Sequence, residues 1–363
     1  MNNIKKLGVT ALAGSLVAVS AQAGEMSMNG SANFTYKTNN QSEGKGIGTD
    51  KGLTVSGAGE LDNGWTFSTY TYLSDAMGLS SHATSLTMGS LGTITAGQGW
   101  GGNSGGFDEE VPQAYEQISD LHATGTANTV GSYMDNGGLT WAIPSFDIGG
   151  ATASLVLGYS PNADDAATSN GGTGTRNNAV TGAGGVFENG YDAGLTIATD
   201  VGLTIGVYGA TRDNKTPVVA AGRTPSDDFS GSFYAKYNAG PVSIGVSKAY
   251  YDAGRVGTST ATTTAKVLRT AAGLFEETQM SIAFNVNDNV SISWTDATDT
   301  YDAQSATTAT NVADVDMDTE AIQVSYSMGG LSVSAFQIET TNPGWDSNAT
   351  KHSASEISIG LAF

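Results

Sequence analysis

The stretch Ser353–Phe363, SASEISIGLAF, decides the fold class because its side chains separate into two kinds by parity. The apolar set is Ile357, Ile359, Leu361 and Phe363, and polar or small residues stand between them. Successive side chains of a β-strand point to opposite faces, so the stretch predicts a strand with one apolar face. A half-buried strand of a soluble protein gives the same pattern. The rest of the chain must decide which solvent the apolar face meets.

The N-terminal residues predict a segment that directs export. Lys5 and Lys6 precede an apolar stretch, residues 7–19, and Ala21-Gln22-Ala23 follows it. A charged region, a short apolar core and a small-x-small cleavage site are the features of a secretory signal peptide. The apolar stretch is too short for a membrane anchor, which needs about 18 or more apolar residues. We therefore expect a signal peptide over residues 1–23, with the mature chain following it.

Length and composition exclude several classes of protein. The 363 residues include 49 glycines but only seven prolines and no cysteine, so we expect a turn-rich β protein without disulfides. A net charge of −20 disfavours binding to nucleic acid, where phosphate contacts need Lys and Arg. After residue 23 no apolar run approaches the ~18 residues of a membrane helix, but a closed β-barrel crosses lipid with a much weaker signal.

Alternating stretches like the first one recur along the whole chain. Short connectors with turn residues, such as Asp62-Asn63-Gly64, alternate with long polar connectors, such as residues 160–190. This alternation predicts sixteen strands, seven short turns and eight long loops, with fourteen or eighteen strands as the alternatives. The predicted strands are 26–37, 51–61, 65–74, 82–89, 93–98, 129–145, 150–159, 191–199, 203–212, 229–238, 242–251, 274–286, 290–298, 316–327, 331–340 and 352–363.

The polar parity of these strands decides the solvent question. In a soluble barrel or sandwich the apolar faces pack together inside. Sixteen strands enclose a lumen too wide for side chains to fill. The arrangement of lower free energy therefore places polar side chains against water in the lumen and apolar side chains against lipid outside. The sequence therefore predicts an all-β fold, a transmembrane antiparallel β-barrel over residues 24–363. Aromatic residues near strand ends fit interfacial girdles: Tyr36, Trp65, Tyr159, Tyr191, Tyr237, Trp294, Tyr326 and Phe363.

From GEMSMNGSANFTY at residue 24 to EISIGLAF at the end, the chain resembles the general diffusion porins of Gram-negative outer membranes. The last strand, ending in Phe363, looks like the family's signal for the barrel insertion machinery. Residues Leu139–Tyr159 look like the hairpin that follows the family's constriction loop. The resemblance implies a multi-pass barrel in the outer membrane, in contact with lipid and lipopolysaccharide, and a homo-oligomer, usually a trimer.

The resemblance also implies a long third loop that folds into the lumen and narrows it. Here that constriction loop is residues 99–128, with a helical turn expected at Glu110 to Asp120. In the family, loop acids face basic residues of the barrel wall. The candidate acids are Asp108, Glu109, Glu110, Glu116 and Asp120, and the wall residues that parity turns inward are Lys37, Arg212 and Lys236. The chain departs from the family in lacking its dense arginine ladder, and Met134 and Trp141 stand where a basic residue is expected.

The function these features predict is passive diffusion of small hydrophilic solutes and ions through a water-filled, cation-selective channel. One alternative is a substrate-selective channel with a binding track of tyrosines: Tyr70, Tyr72, Tyr208 and Tyr234. Another is a non-conducting surface adhesin or receptor barrel, and a third is a soluble secreted β-sandwich. No enzymatic role is predicted, because His82, His122 and His352 are scattered and no catalytic motif accompanies them.

Two further patterns carry weaker signals. Residues 97–102 match GxGxxG, but no βαβ context surrounds them and three acids follow, so close backbone passage explains the glycines better than a dinucleotide site. Asp314, Asp316, Asp318 and Glu320 share one face of a predicted strand, the face that continues into Ile322 and Val324. A solvated rim is the simpler interpretation. The sharper one is calcium or magnesium bridging these outer acids to lipopolysaccharide phosphates, and we expect no other cofactor.

Overall fold

The structure is a computed structural model that describes residues 24–40, 44–75, 78–121, 130, 133–134, 136–161, 163, 187–214, 227–252, 273–303 and 315–363. The predicted signal peptide, residues 1–23, and the last part of the predicted constriction loop, residues 122–128, lie outside the described residues.

Strands account for most of the described chain. None of its helices is long and apolar enough to span a bilayer. The strands are β1 (Glu25–Asn39), β2 (Lys45–Glu60), β3 (Thr66–Leu73), β4 (Leu79–Thr87), β5 (Thr93–Gln98), β6 (Asn136–Ala142), β7 (Phe146–Asp147), β8 (Ala151–Ser160), β9 (Phe187–Thr199), β10 (Leu203–Asn214), β11 (Asp228–Ala239), β12 (Val242–Asp252), β13 (Gly273–Asn287), β14 (Val290–Ala303), β15 (Val315–Met328), β16 (Leu331–Thr341) and β17 (His352–Ala362).

The strands form one closed antiparallel barrel. Apart from β6 and β7, which do not pair with each other, strands that follow one another in the sequence are paired, and β1 pairs with both β2 and β17, which closes the sheet. Because β6 and β7 both pair with β8, they act as one interrupted strand, and the barrel has sixteen. The predicted fold class and strand number are therefore confirmed.

The interruption between β6 and β7 has a local cause. A single strand was expected over 129–145, whereas the structure begins β6 at Asn136 and breaks the ladder after Ala142. The backbone N–H of Ile143 still donates to the carbonyl of Leu155 at 3.0 Å, but Pro144 follows and has no N–H to donate.

The short connectors all lie on one rim, and each of the seven predicted ones joins two adjacent strands. Their geometry needs the residues that the sequence supplies. Gly202 has a φ of 93° between β9 and β10, and Gly329 a φ of 60° between β15 and β16, where a side chain would be strained. Because neighbouring strands are antiparallel, the strand ends that the long connectors join lie on the opposite rim.

The two faces of the wall differ in the way the parity of the sequence predicts. On β13, Gln279 and Ser281 are buried while Met280 and Ile282, which alternate with them, are 47% and 46% exposed. The same alternation holds on β14, where Ser293 is buried and Ile292 is exposed. Since the barrel is closed, the polar face points inward and the apolar face forms the outer surface.

The C-terminal stretch completes the closure. The N–H of Phe363 donates to the carbonyl of Gly30 at 3.0 Å, and the N–H of Gly30 donates to the carbonyl of Phe363 at 2.7 Å. A Cβ at Gly30 would lie 2.4 Å from the Phe363 ring, so a larger residue at this position would displace the ring from its present place. The ring itself is 80% exposed at the rim.

Candidate functional site

The third long connector is the best candidate for a functional element because it packs on the inner face of the wall. Its described part, residues 99–121, is called the third-loop segment here. Gln323 of β15 fixes the segment's backbone, since its Oε1 accepts hydrogen bonds from the N–H groups of Tyr115 and Glu116 at 2.8 and 3.0 Å. Its Nε2 donates to the carbonyl of Glu116 at 2.9 Å. The amide of Ala114 donates to Ser293 Oγ of β14 at 2.9 Å.

Two wall glycines provide sockets for side chains of the segment. A Cβ at Gly194 would lie 2.3 Å from the ring of Phe107, and a Cβ at Gly245 would lie 2.5 Å from Cδ of Pro112. Phe107 is buried and stacks on Tyr208 with a centroid distance of 5.2 Å. The packing leaves no room for a methyl group at either glycine, so both positions hold the segment in place through shape.

An apolar turn anchors the end of the segment. Ile118 and Leu121 lie in a 3-10 turn and pack on small and apolar residues of β14 to β17. Burying side chains of this size contributes about 1.5–3 kcal/mol each. The helical turn expected over Glu110 to Asp120 is limited to residues 118–121, because residues 110–117 run along the wall and bond to its side chains instead.

The five candidate acids of the loop differ in burial and form three groups. Glu109 and Glu110 are buried against the wall, Asp108 and Glu116 are half-buried, and Asp120 is exposed. Lys236 Nζ on β11 donates to Glu110 Oε2, so this predicted wall cation is paired with a loop acid. Both side chains are more than nine-tenths buried, which neutralises both charges at the wall.

Glu109 ties the two limbs of the segment to each other and to β13. Its carboxylate accepts hydrogen bonds from the amide and the hydroxyl of Ser119 and, at 2.6 Å, from Gln279 Nε2. Its φ of 47° is unusual for a residue with a side chain and costs on the order of 1–3 kcal/mol, which these contacts must offset. Burial, and next the charge of Asp108, raise the pKa of Glu109 to about 7.

Lys37 belongs to a second charged group, formed with Tyr115, Glu116 and Glu356. Lys37 on β1 lies directly opposite Glu356 on β17, and both point inward. The hydroxyl of Tyr115 donates to Glu356 Oε1 at 3.3 Å. Burial, and then the charges of Glu356 and Asp120, raise the pKa of Glu116 to about 7, while the charge of Lys37 acts in the opposite direction.

Arg212 has a different partner from the one the resemblance implies. Its Nε lies 2.7 Å from Asp228 Oδ2 on β11, and its Nη1 donates to the carbonyl of Ala163 at 2.8 Å. The guanidinium also lies 4.4 Å from the centroid of the Tyr133 ring. Of the three predicted wall cations, the structure thus brings Lys236 and Lys37 near loop acids and places Arg212 in a separate buried ion pair.

Sequence reasoning missed Glu356 and Gln279 as candidates. Both stand on the polar parity of strands that were predicted, so parity alone was a sufficient signal that they point inward. Parity cannot predict which strands the third loop contacts, because the contacting residues are far apart in the chain. The bond between Gln279 and Glu109, for example, joins residues 170 positions apart.

The four tyrosines of the predicted binding track have two different environments. Tyr208 and Tyr234 are each 3% exposed and pack against Phe107, so they fill space between the wall and the segment. Tyr70 and Tyr72 on β3 point inward and are half-buried. Only the second pair lines accessible space.

The acidic face of β15 points outward, and β15 has no bulge in its pairing with β14 or β16. Asp316, Asp318 and Glu320 are exposed, and Glu320 lies directly between Asp296 and Glu339 on the neighbouring strands. Asp314 lies outside the described residues. Across the described chain no three acids or histidines come together as metal ligands would, and divalent-cation bridging stays a prediction.

The remaining motifs have structural roles where they are described. His82 lies half-buried on β4, His352 is buried on β17, and His122 is outside the described residues. At the end of β5, a Cβ at Gly99 would lie 2.4 Å from the carbonyl of Ser80, and the φ of Gly99 is 62°. Residues 97–102 thus mark close backbone passage, and no helix follows them directly.

Comparisons with known proteins agree on the fold. No family model and no curated protein sequence matches the chain. Among solved structures, OmpF of Salmonella typhi in complex with daunomycin is 12% identical with a TM-score of 0.64, over 93% of this chain and 97% of that one. The anion-selective porin from Comamonas acidovorans is 12% identical with a TM-score of 0.55, over 94% and 100%. OmpT of Vibrio cholerae in its trimer form is 14% identical with a TM-score of 0.57, over 94% and 100%. The chain therefore has the barrel fold of the porins.

Proposed function

We propose that the protein is an outer-membrane porin that forms a water-filled channel for passive diffusion of small hydrophilic solutes and ions. The observation that carries the proposal is a closed barrel with polar inner side chains and large exposed apolar residues outside. Such an outer surface is stable against hydrocarbon, and the width of sixteen strands leaves room for water. The fold shared with porins supports the same function, and we propose no catalytic role.

The third-loop segment constricts the channel under this proposal. It contacts inner residues of β9 to β17, and it leaves the inner residues of β1 and β3 half-exposed. The water path would therefore run along β1 to β4, past Lys37, Tyr70 and Tyr72. Glu116 and Asp120 face this space from the segment.

The charges along that path support cation selectivity. Two of the three candidate wall cations, Lys236 and Arg212, are neutralised by buried ion pairs. Lys37 remains, and it faces two acids, Glu116 and Glu356. An anion-selective porin has the same fold, so selectivity must come from such side chains and not from the barrel itself.

The outer surface supports a homo-oligomer, and the resemblance to porins suggests a trimer. The outward row Gly57, Thr69, Thr84 and Ala96 crosses β2 to β5, whereas the row Ile244, Ile282, Trp294 and Ile322 crosses β12 to β15. Among the described residues between Ile47 and Leu139, the exposed large apolar side chains are Leu61 and Leu91, in short turns. A small and polar face gains little from lipid, and a second copy of the chain fits it better.

Two further proposals concern targeting. Residues 1–23 would be removed on export, and the exposed Phe363 at the barrel rim would be read by the insertion machinery.

The outward acids of β15 would stand in the lipopolysaccharide region above the apolar band, where calcium or magnesium can bridge carboxylates and phosphates.

Purification in detergent followed by recording in planar bilayers tests the proposed function. We expect stepwise conductance, roughly ohmic and not blocked by one particular solute, and a reversal potential of the cation-selective sign in a salt gradient. Absence of conductance would favour the adhesin or receptor barrel, and block by a specific solute would favour the substrate-selective channel. An anion-selective reversal potential would overturn the charge argument while leaving the porin intact.

A further inference from the structure

One carboxamide lies between two carboxylates where the third-loop segment meets β13. Gln279 Nε2 lies 2.6 Å from Glu109 Oε1 of the segment and 2.6 Å from Glu277 Oε1 of the same strand. The three side chains are buried, with Gln279 fully inaccessible and Glu277 only 2% exposed. Gln279 is therefore the side chain that joins the segment to an acid of the wall.

Among the described residues, the charges that face this group from the packed elements are mainly negative. Asp108 acts on it from the segment and Asp299 from β14, while the neighbouring Glu110 is already paired with Lys236 of β11. No ion pair to Glu109 or Glu277 forms within the described part of the chain. Two ionised carboxylates in a buried site with one neutral donor between them repel each other strongly.

The hydrogen bonds of the group also leave room for one proton. The carboxamide oxygen of Gln279 is buried and has no hydrogen-bond donor among the described residues. Both acids contact Nε2 of the carboxamide, and rotation of the amide group would let it donate to one acid and accept from the other. A proton on one of the two carboxyl groups then provides the missing donor. A buried acceptor left without a donor is costly, so the protonated group is the better-satisfied state.

We propose that Gln279 is a positioning residue of the third-loop segment, and that its link between the segment and β13 holds only while Glu109 and Glu277 share a proton. The direction of the pH dependence follows from Glu109, whose pKa is raised from its ordinary 4.5 to about 7 when the segment is attached. Attachment is complete below about pH 4.5 and weakens as the pH rises through about 7. In alkaline solution the segment loosens and the passage widens.

Amide hydrogen exchange of residues 109–119 measures attachment directly, without conductance. The exchange rate of the wild type is divided by that of Glu109→Gln at each pH from 5 to 8.5, which cancels the intrinsic pH dependence. We expect this ratio to rise about tenfold or more over that range, since each unit by which a pKa is raised corresponds to a factor of ten. Glu277→Gln should resemble Glu109→Gln, and Gln279→Leu should exchange fast at every pH.

Glu276→Gln is the matched control, because Glu276 precedes Glu277 on β13 but points outward and pairs with Lys248 at an exposed site. It should keep the wild-type pH profile. A flat ratio, or an unchanged profile in Glu277→Gln, would overturn the proposal.

The predicted widening rests on the proposed channel function, and bilayer recording from pH 5 to 8.5 tests that part. A pH-dependent exchange ratio without any conductance would refute the porin and retain the positioning role. Conductance that does not change with pH, together with a flat exchange ratio, would support the porin and refute the positioning role of Gln279.

Discussion

The inner faces of β1 to β3 and of β12 to β15 have the same kind of sequence and a different environment. Asn29, Ser31 and Asn33 on β1 are half-buried, whereas Ser281 and Ser293 on β13 and β14 are almost completely buried. The third-loop segment accounts for this difference, because it bonds to the second set of strands. A polar inward position therefore does not by itself mean a residue in contact with the channel water.

Removing the charge of Lys236 should have the largest effect on the difference in burial between the two sets of strands. In Lys236→Met the buried carboxylate of Glu110 loses its ion pair with Lys236, and breaking a buried pair costs about 3–5 kcal/mol. We expect the segment to leave the wall and the single-channel conductance to rise, together with a lower unfolding temperature in detergent. Lys248→Met is the matched control, since its pair with Glu276 is exposed and contributes about 0–1 kcal/mol.

A second substitution, Glu110→Gln in the Lys236→Met background, should restore much of the attachment because it removes the buried negative charge that Lys236 balances in the wild type. If Lys236→Met and Lys248→Met behave alike, the ion pair does not hold the segment.

Filling a glycine socket should have the next largest effect. In Gly245→Ala the new methyl group would lie 2.5 Å from Pro112 Cδ, and overpacking of this kind costs about 1–3 kcal/mol. Conductance should increase because the segment shifts away from β12. Gly209→Ala is the control, where the nearest atom to the new Cβ is 3.7 Å away. Equal conductance in the two variants would show that the socket does not position the segment.

Glu116 should make the ion selectivity depend on pH. Its pKa of about 7 means that it is ionised at pH 8.5 and protonated at pH 5.5, so the cation preference of the wild type should fall as the pH falls. Glu116→Gln should keep the weaker preference at every pH in reversal-potential measurements. Glu339→Gln, on the outward row of β16 beside Glu320, should leave the wild-type profile unchanged. A pH-independent reversal potential in the wild type would place Glu116 away from the ion path.

Lys37→Gln should have the smallest effect on ion selectivity, in the direction opposite to that of Glu116→Gln. It removes a positive charge from the accessible inner face of β1, so cation preference should rise. The change should stay within about fivefold in the permeability ratio, because a charge interaction screened by water is on the order of 1 kcal/mol at 4 Å. Asn33→Ser, four residues earlier on the same face and uncharged, controls for altered volume. A fall in cation preference in Lys37→Gln would contradict the proposed path.

The strands and their faces were predictable because alternation is a local property. Val242–Val246 and Val290–Trp294 show their apolar face within five residues, and Asp62-Asn63-Gly64 shows its turn within three. Alternation does not predict the point at which a single residue breaks the ladder, as Pro144 does between β6 and β7. The acids of the candidate site were found by composition, but composition could not distinguish Glu109 and Glu110, which are buried, from Asp120, which is exposed.

The sequence by itself determined the barrel: its strand number, the sidedness of each strand and the rim on which the short turns lie. These follow from periodicity and turn chemistry, which act between residues close in the chain. Only the tertiary structure decided which charges remain in the accessible space. Lys236 finds Glu110 across 126 residues, and Glu109 finds Gln279 across 170. Such contacts depend on where closure of the sheet brings distant strands under one loop, and no local pattern encodes that distance.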